Sequence, residues 1–237
     1  MKKLKNPLTF IEGIRSGLTI AIGYIPVAFT FGLIAKSTEL SLYETFLMSA
    51  IVFAGASQYT SLSLLAAQTS AVEIIFTTFV INIRHFLLST TLNEIVERDR
   101  WLKKAVYAYW ITDESFSVAA VRNERLTTSY MMGLGLIGYV CWVAFSVVGH
   151  LSGSQLPVII QDSMGVALFA LFIALLIPSV KKHQKALWLS VCAGLFHLFF
   201  YAYHLLSTGW AIVCATLLSA VLIEWADNAL VRRKKHA

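Results

Sequence analysis

The stretch SAVEIIFTTFVINIRHFLLSTTL (70–92) decides the fold. Its length fits the roughly 20 residues that a helix needs to cross a hydrocarbon core of about 30 Å. Asn82, Arg84 and His85 fall at its middle. An arginine at that depth costs about 2.5–3.5 kcal/mol on insertion scales, so it must pair or face water. Working outward, further apolar segments occupy 14–35, 43–67, 105–121, 129–151, 164–180, 186–206 and 209–226. They are continuous runs rather than ten-residue alternations, which argues for helices and against a β-barrel. Composition agrees: 57% of residues are hydrophobic, 14% are charged and the mean hydropathy is +0.70, more apolar than a water-soluble domain of this size. The expected fold is all-α, a polytopic transmembrane helix bundle of about eight helical segments in a single domain, 1–237, with the lipid bilayer as its solvent.

The formal charge of +6 and pI near 9.3 do not indicate nucleic-acid binding, because the basic residues form short clusters between apolar segments. Lys2, Lys3 and Lys5 precede the first segment, Lys181, Lys182 and Lys185 follow a later one, and Arg232, Arg233, Lys234 and Lys235 close the chain. Read with the positive-inside rule, they conflict with eight full crossings: loop 93–104, with Arg98, Arg100, Lys103 and Lys104, would then lie outside. If 43–67 instead dips in and returns, and 105–121 does so from the opposite side, every basic cluster is cytoplasmic. Only Lys36 then lies outside, and Arg84 sits within the membrane. Both segments carry polar interruptions, Gly55-Ala56-Ser57-Gln58 and Thr112-Asp113-Glu114-Ser115, and irregular backbone at membrane depth is tolerated where protein or a watery cavity covers it. Under either topology both termini are cytoplasmic. The N-terminal lysines lead into a long apolar stretch with no early cleavage site, so the first helix is expected to stay. Cys141, Cys192 and Cys214 stand in separate segments and read as packing residues.

Four constellations carry the candidate chemistry. Gly17, Gly23, Pro26 and Gly32 punctuate the first segment; Pro26 removes a backbone donor, giving either a closely packed kinked helix or an unwound stretch whose carbonyls face a substrate. In FAGASQY (53–59), small residues including Gly55 and Ser57 permit close approach. Gln58 can donate and accept, either to a ligand or simply to a neighbouring helix. In Asn82-Ile83-Arg84-His85, helical spacing puts Asn82 and His85 on one face and Arg84 on the other, so Arg84 needs a partner of its own. In TDES, Asp113 and Glu114 could load and release a proton, or could be solvated acids at an interface. His197, Tyr201 and His204 follow helical spacing and read as an interface anchor. Neither HExxH, a Cys/His cluster nor a phosphate loop occurs. Ser57 and His85 do not make a complete catalytic set, so the sequence does not read as an enzyme and implies no cofactor, metal or catalytic residue.

The glycine-rich opening with Pro26, VFAGASQY (52–59), NIRHFLLS (82–89) and WITDESF (110–116) together resemble the AzlC-type large subunits of bacterial branched-chain amino acid exporters. Their order and spacing agree over nearly the whole chain. The resemblance implies a permease of the bacterial plasma or inner membrane that works with a small AzlD-type membrane subunit. It would export branched-chain amino acids, and other apolar ones such as methionine, by secondary transport. On the physical reading, Gln58, Asn82 or Arg84 could receive the substrate carboxylate, and freed carbonyls or Asp113 the ammonium. Pro26, Gly55, Ser57, Gln58, Asn82 and Arg84 are thus the candidate substrate-binding residues, and His85, Asp113 and Glu114 the candidates for proton coupling. A channel or an exporter of a different small solute is the alternative.

Overall fold

The computed structural model describes residues 7–122, 124–152, 173, 176, 177, 180, 181 and 184–236. All the regular structure among them is helical: α1 (Phe10–Ser37), α2 (Leu42–Leu47) continuing as a π-helical turn (Met48–Val52), α3 (Gly55–Ala66), α4 (Ala71–Ile95), α5 (Trp101–Tyr109), α6 (Asp113–Ala120), α7 (Thr128–Ser152), α8 (Gln184–Ala202) and α9 (Thr208–His236). Five of these are long and apolar enough to span a membrane: α1, α4, α7, α8 and residues Thr208–Asn228 of α9. The expected segment 164–180 lies almost wholly outside the described residues. The chain divides into two compact units, Met1–Leu62 with Ile81–Ala167, and Ser63–Val80 with Leu168–Ala237.

In the first unit, α1 and α7 lie side by side and parallel. A Cβ added to Gly13 would overlap the Tyr130 carbonyl, and one added to Gly32 would overlap the Ser146 carbonyl. Small residues thus let the two backbones touch at both ends, the packing that lipid, which exerts no hydrophobic pressure between helices, selects. Thr9 starts α1 with a capping box closed by Glu12. The helix runs unbroken through Pro26, so the unwound alternative is not what the chain adopts. The Thr30 hydroxyl donates to the Pro26 carbonyl at 2.8 Å, and that of Tyr59 to the Val27 carbonyl at 2.7 Å. Between the parallel helices Tyr24 meets Trp142 edge-on at 5.2 Å, and Phe31 also meets Tyr59 of α3 at 5.8 Å.

Residues 81–95 of α4 run the opposite way. Beyond their end, Val96 bridges Leu126, the Glu97 N–H donates to the Leu126 carbonyl at 3.0 Å, and Leu8 bonds both Arg125 and Thr127. Residues 96–100 therefore lie at the N-terminal end of α1 and α7. There the Asp99 carboxyl, taking the Arg100 N–H at 2.6 Å and Lys103 at 3.1 Å, is held below the usual carboxylate range.

The remaining two segments are hairpins. Leu42–Val52 and α3 have 11 and 12 residues, α5 and α6 have 9 and 8; at 1.5 Å per residue none exceeds about 18 Å, too short to cross. Leu42–Val52 starts beside the far end of α7, where Thr45 Oγ1 meets His150 Nδ1 at 2.9 Å. It descends until the Ala50 carbonyl meets the Tyr139 hydroxyl at 2.9 Å. The backbone turns at Phe53, whose φ of 39° is left-handed, and α3 climbs back past Trp142 to the level of Val27 and Phe31. The second hairpin enters from the opposite end. α5 rises until Trp110 lies 5.7 Å from Tyr139, and α6 returns toward Arg122, which bonds Ser16 at 2.7 Å. Two opposed hairpins, each too short to cross, match the re-entrant alternative in helix length and direction. Arg15, Arg98, Arg100, Lys103, Lys104, Arg122 and Arg125 all belong to the end where α1 and α7 begin, whereas Lys36 belongs to the other.

In the second unit, α8 and α9 form an antiparallel pair joined by a turn with His204 at φ 49°, closed at the far end by Lys185 on Glu224 (2.6 Å) and Asp227 (3.0 Å). Because α8 ends at Ala202, His204 leaves the helix and the expected His197–Tyr201–His204 stripe is cut short. Buried Glu73 caps α9: its Oε1 accepts from Ser207 Oγ at 2.6 Å, Gly209 N at 2.7 Å and Trp210 N at 3.2 Å. Residues of α8 are all at least partly exposed, as a lipid-facing helix requires.

Candidate functional site

The two hairpin tips meet midway along α1 and α7, and at each tip side chains take over from interrupted backbone hydrogen bonds. In an unbroken helix the Ala54 N–H would reach the Ala50 carbonyl. Here the N–H donates to Gln58 Oε1 at 3.2 Å, and the Ala50 carbonyl accepts from Tyr109 and Tyr139. At the second tip the Ser115 N–H is taken by Thr112 Oγ1 at 3.3 Å, and the freed Ile111 carbonyl meets His85 Nδ1 at 3.0 Å. The third residue of each half-helix repeats one device: Ser57 donates to the Ala54 carbonyl at 2.9 Å and Ser115 to the Thr112 carbonyl at 3.1 Å. Side chains thus replace the water that lipid cannot supply.

Between the tips lies a cavity of about 230 Å³, lined by residues 52–54 of the first hairpin, Asn82 and His85 of α4, and Ala108 and Tyr109 of α5. Val52, Phe53, Ala54 and Ala108 give it apolar lining, and Asn82 and His85 give it polar atoms. Asn82 Nδ2 donates to Ser57 Oγ at 3.0 Å. Among the described residues, Asn82 Oδ1, His85 Nε2 and Arg84 Nε are buried without a hydrogen-bond partner, and unpaired buried polar atoms are uncommon enough to require an explanation.

The expected residues divide between this cavity and the struts around it. Asn82 and His85 share the cavity face, as helical spacing required, and Arg84 points elsewhere, pairing with Asp113 at 2.7 Å. Arg84 therefore joins α4 to α6 and does not line the cavity. Ser57 orients Asn82. Gln58, fully buried, uses Oε1 on Ala54 and Nε2 on Ser49 at 3.4 Å, which ties the two halves of the first hairpin together. Gly55 lies against Trp142, where a Cβ would approach the ring to 2.8 Å. Glu114 meets the Tyr24 hydroxyl at 2.7 Å, and that hydroxyl also lies 2.8 Å from Thr112 Oγ1; neither acid is merely solvated. Pro26 is exposed on α1, away from the cavity lining. Tyr24, Tyr109 and Tyr139 were not singled out by sequence. Their only signal is a hydroxyl in an apolar helix, which must find an acceptor when buried. Among the described residues no group of three His, Cys, Asp or Glu could hold a metal ion.

Comparison with known proteins places this geometry in a family. Residues 19–156, which include both hairpins, match the family model described as AzlC protein. The inner membrane protein YgaZ of Escherichia coli is 36% identical over 186 residues, 75% of this chain and 76% of its own length. An uncharacterized membrane protein of Archaeoglobus fulgidus is 33% identical over 231 residues, 95% of this chain and 99% of its own length. The branched-chain amino acid transport protein AzlC of Bacillus subtilis is 24% identical over 176 residues, 72% of this chain and 68% of its own length. No solved structure matches. With the family model covering more than half the sequence, and five helices among the described residues long and apolar enough to span a membrane, this chain belongs to the AzlC family of multi-pass membrane transport proteins.

Proposed function

We propose that the chain is the permease subunit of a proton-coupled exporter for branched-chain and other apolar amino acids, working with a small AzlD-type partner in the bacterial plasma membrane. The observation that carries this reading is the cavity between the hairpin tips. An apolar cavity of about 150 Å³ holds benzene, so one of about 230 Å³ suits an aliphatic amino acid. Its lining offers an apolar wall for the side chain and polar atoms for the head group, with only short half-helices closing it on either side. The name of the Bacillus subtilis relative supports the substrate class. The basic end of the first unit faces the cytoplasm in this reading, with both termini there. His85, Asp113 and Glu114, gathered around the second tip, are the groups for the coupling proton.

The test is counterflow of labelled leucine, isoleucine, valine and methionine in proteoliposomes, with and without the small subunit and across imposed pH gradients. Saturable counterflow of these amino acids supports the exporter. Its absence, with passage of unrelated small solutes instead, favours a channel and overturns it.

A further inference from the structure

The polar side of the cavity presents acceptors. His85 Nδ1 lies 3.0 Å from the Ile111 carbonyl oxygen. A carbonyl can only accept, so Nδ1 carries the ring hydrogen, and in the neutral imidazole Nε2 is a lone pair. Asn82 is oriented by the same logic. Ser57 gives its own hydrogen to the Ala54 carbonyl at 2.9 Å, so at 3.0 Å it accepts from the Asn82 amide nitrogen, and Oδ1 is the free end. Both Oδ1 and Nε2 are buried and find no partner among the described residues, and their side chains share one face of α4 and line the cavity.

We propose that Asn82 Oδ1 and His85 Nε2 hold the substrate's ammonium group, and that the same Nε2 lone pair binds the coupling proton, so that substrate and proton exclude one another. The assignment reverses the expectation that Asn82 receives the carboxylate. An ammonium brings three donors and a positive charge to two acceptors. Once Nε2 takes a proton it becomes a donor on a cationic ring, and it repels the ammonium. When the substrate returns, the Nε2 proton leaves for water and the lone pair is available again. Among the described residues the neighbouring charges are engaged elsewhere: Arg84 is paired with Asp113 at 2.7 Å, Glu114 is held by Tyr24, and the first hairpin contributes Val52, Phe53 and Ala54 to the lining. Tyr109 is the remaining polar neighbour in the cavity, and its hydroxyl donates to Ala50.

This inference rests on the amino-acid exporter reading, and the experiment separates the two. Leucine is titrated into the purified protein, with its small subunit where binding requires it, in weak buffer between about pH 5 and 8. The expected result is release of up to about one proton per leucine bound, rising as the pH is lowered across that range. 3-Methylbutylamine, which keeps the ammonium, competes with leucine, and 4-methylpentanoate, which lacks it, does not. His85→Gln keeps an acceptor that cannot hold a proton, so it binds leucine without release. Asn82→Leu weakens binding by about tenfold. Leucine binding with undiminished proton release in His85→Gln, or competition by 4-methylpentanoate equal to that of the amine, overturns the inference and leaves the exporter standing. Failure of the wild type to bind leucine at any pH overturns the exporter reading, and this inference with it.

Discussion

Removing either member of the Arg84–Asp113 pair should destabilise the protein more than removing both. The ion pair spans 2.7 Å, with 37% of the Arg84 side chain and 27% of the Asp113 side chain uncovered. An exposed pair contributes at most about 1 kcal/mol, whereas stripping one partner from a buried pair costs about 3–5 kcal/mol because a charge is left uncompensated. The observed exposure lies between these limits, so Arg84→Gln and Asp113→Asn should each cost about 2–3 kcal/mol, or roughly 30- to 150-fold in the unfolding equilibrium. The double variant leaves no charge behind and should lose about 1 kcal/mol, giving a clear coupling energy in the cycle. Reversible unfolding in mixed detergent micelles measures it. Additive losses, or single variants as stable as the wild type, would refute the assignment of Arg84 as a strut. An affinity loss without a stability loss would return Arg84 to the substrate.

Three further outcomes test the packing. Gln58→Leu strands the buried Ala54 N–H and should cost about 1–3 kcal/mol, while leucine affinity of the folded fraction stays unchanged; thermal unfolding and binding on the same sample separate these. Gly32→Ala pushes a methyl group into the Ser146 carbonyl and should cost about 1–3 kcal/mol by overpacking, seen as a lower unfolding midpoint. Glu73→Ala removes the acceptor of three hydrogen bonds at the start of α9 and should cost about 1–2 kcal/mol, with faster proteolysis near residues 203–207. Glu73→Gln, which keeps an acceptor oxygen, should recover most of the loss.

The hairpins were legible because charge and length conflict in the sequence: eight full crossings would set Arg98, Arg100, Lys103 and Lys104 against the positive-inside rule, and GASQ and TDES interrupt two apolar segments with polar groups that lipid cannot satisfy. The breaks themselves fall just ahead of these polar runs, at residues 53–54 before Gly55 and at residues 110–112 before Asp113. The division of labour within the motifs was not legible. Gln58 and Asn82 are both primary amides, and only the fold shows that one is consumed by the backbone break while the other keeps a free oxygen. Arg84 and Asp113 lie 29 positions apart in the sequence, and nothing local marks them as partners. Tyr24, Tyr109 and Tyr139 stayed hidden for a similar reason: they answer carbonyls and carboxylates that exist as unmet groups only once the hairpins have formed. Pro26, conspicuous in the sequence, is accommodated within α1 without breaking it.

Whether substrate occupies the space between the hairpin tips can be read by thiol labelling at Ala108→Cys, in a chain with Cys141, Cys192 and Cys214 replaced by serine. Ala108 lines the cavity, so leucine should slow modification of the new thiol in proportion to its occupancy, and the modified protein should no longer support counterflow. A labelling rate indifferent to saturating leucine, together with full transport after modification, would place the substrate elsewhere.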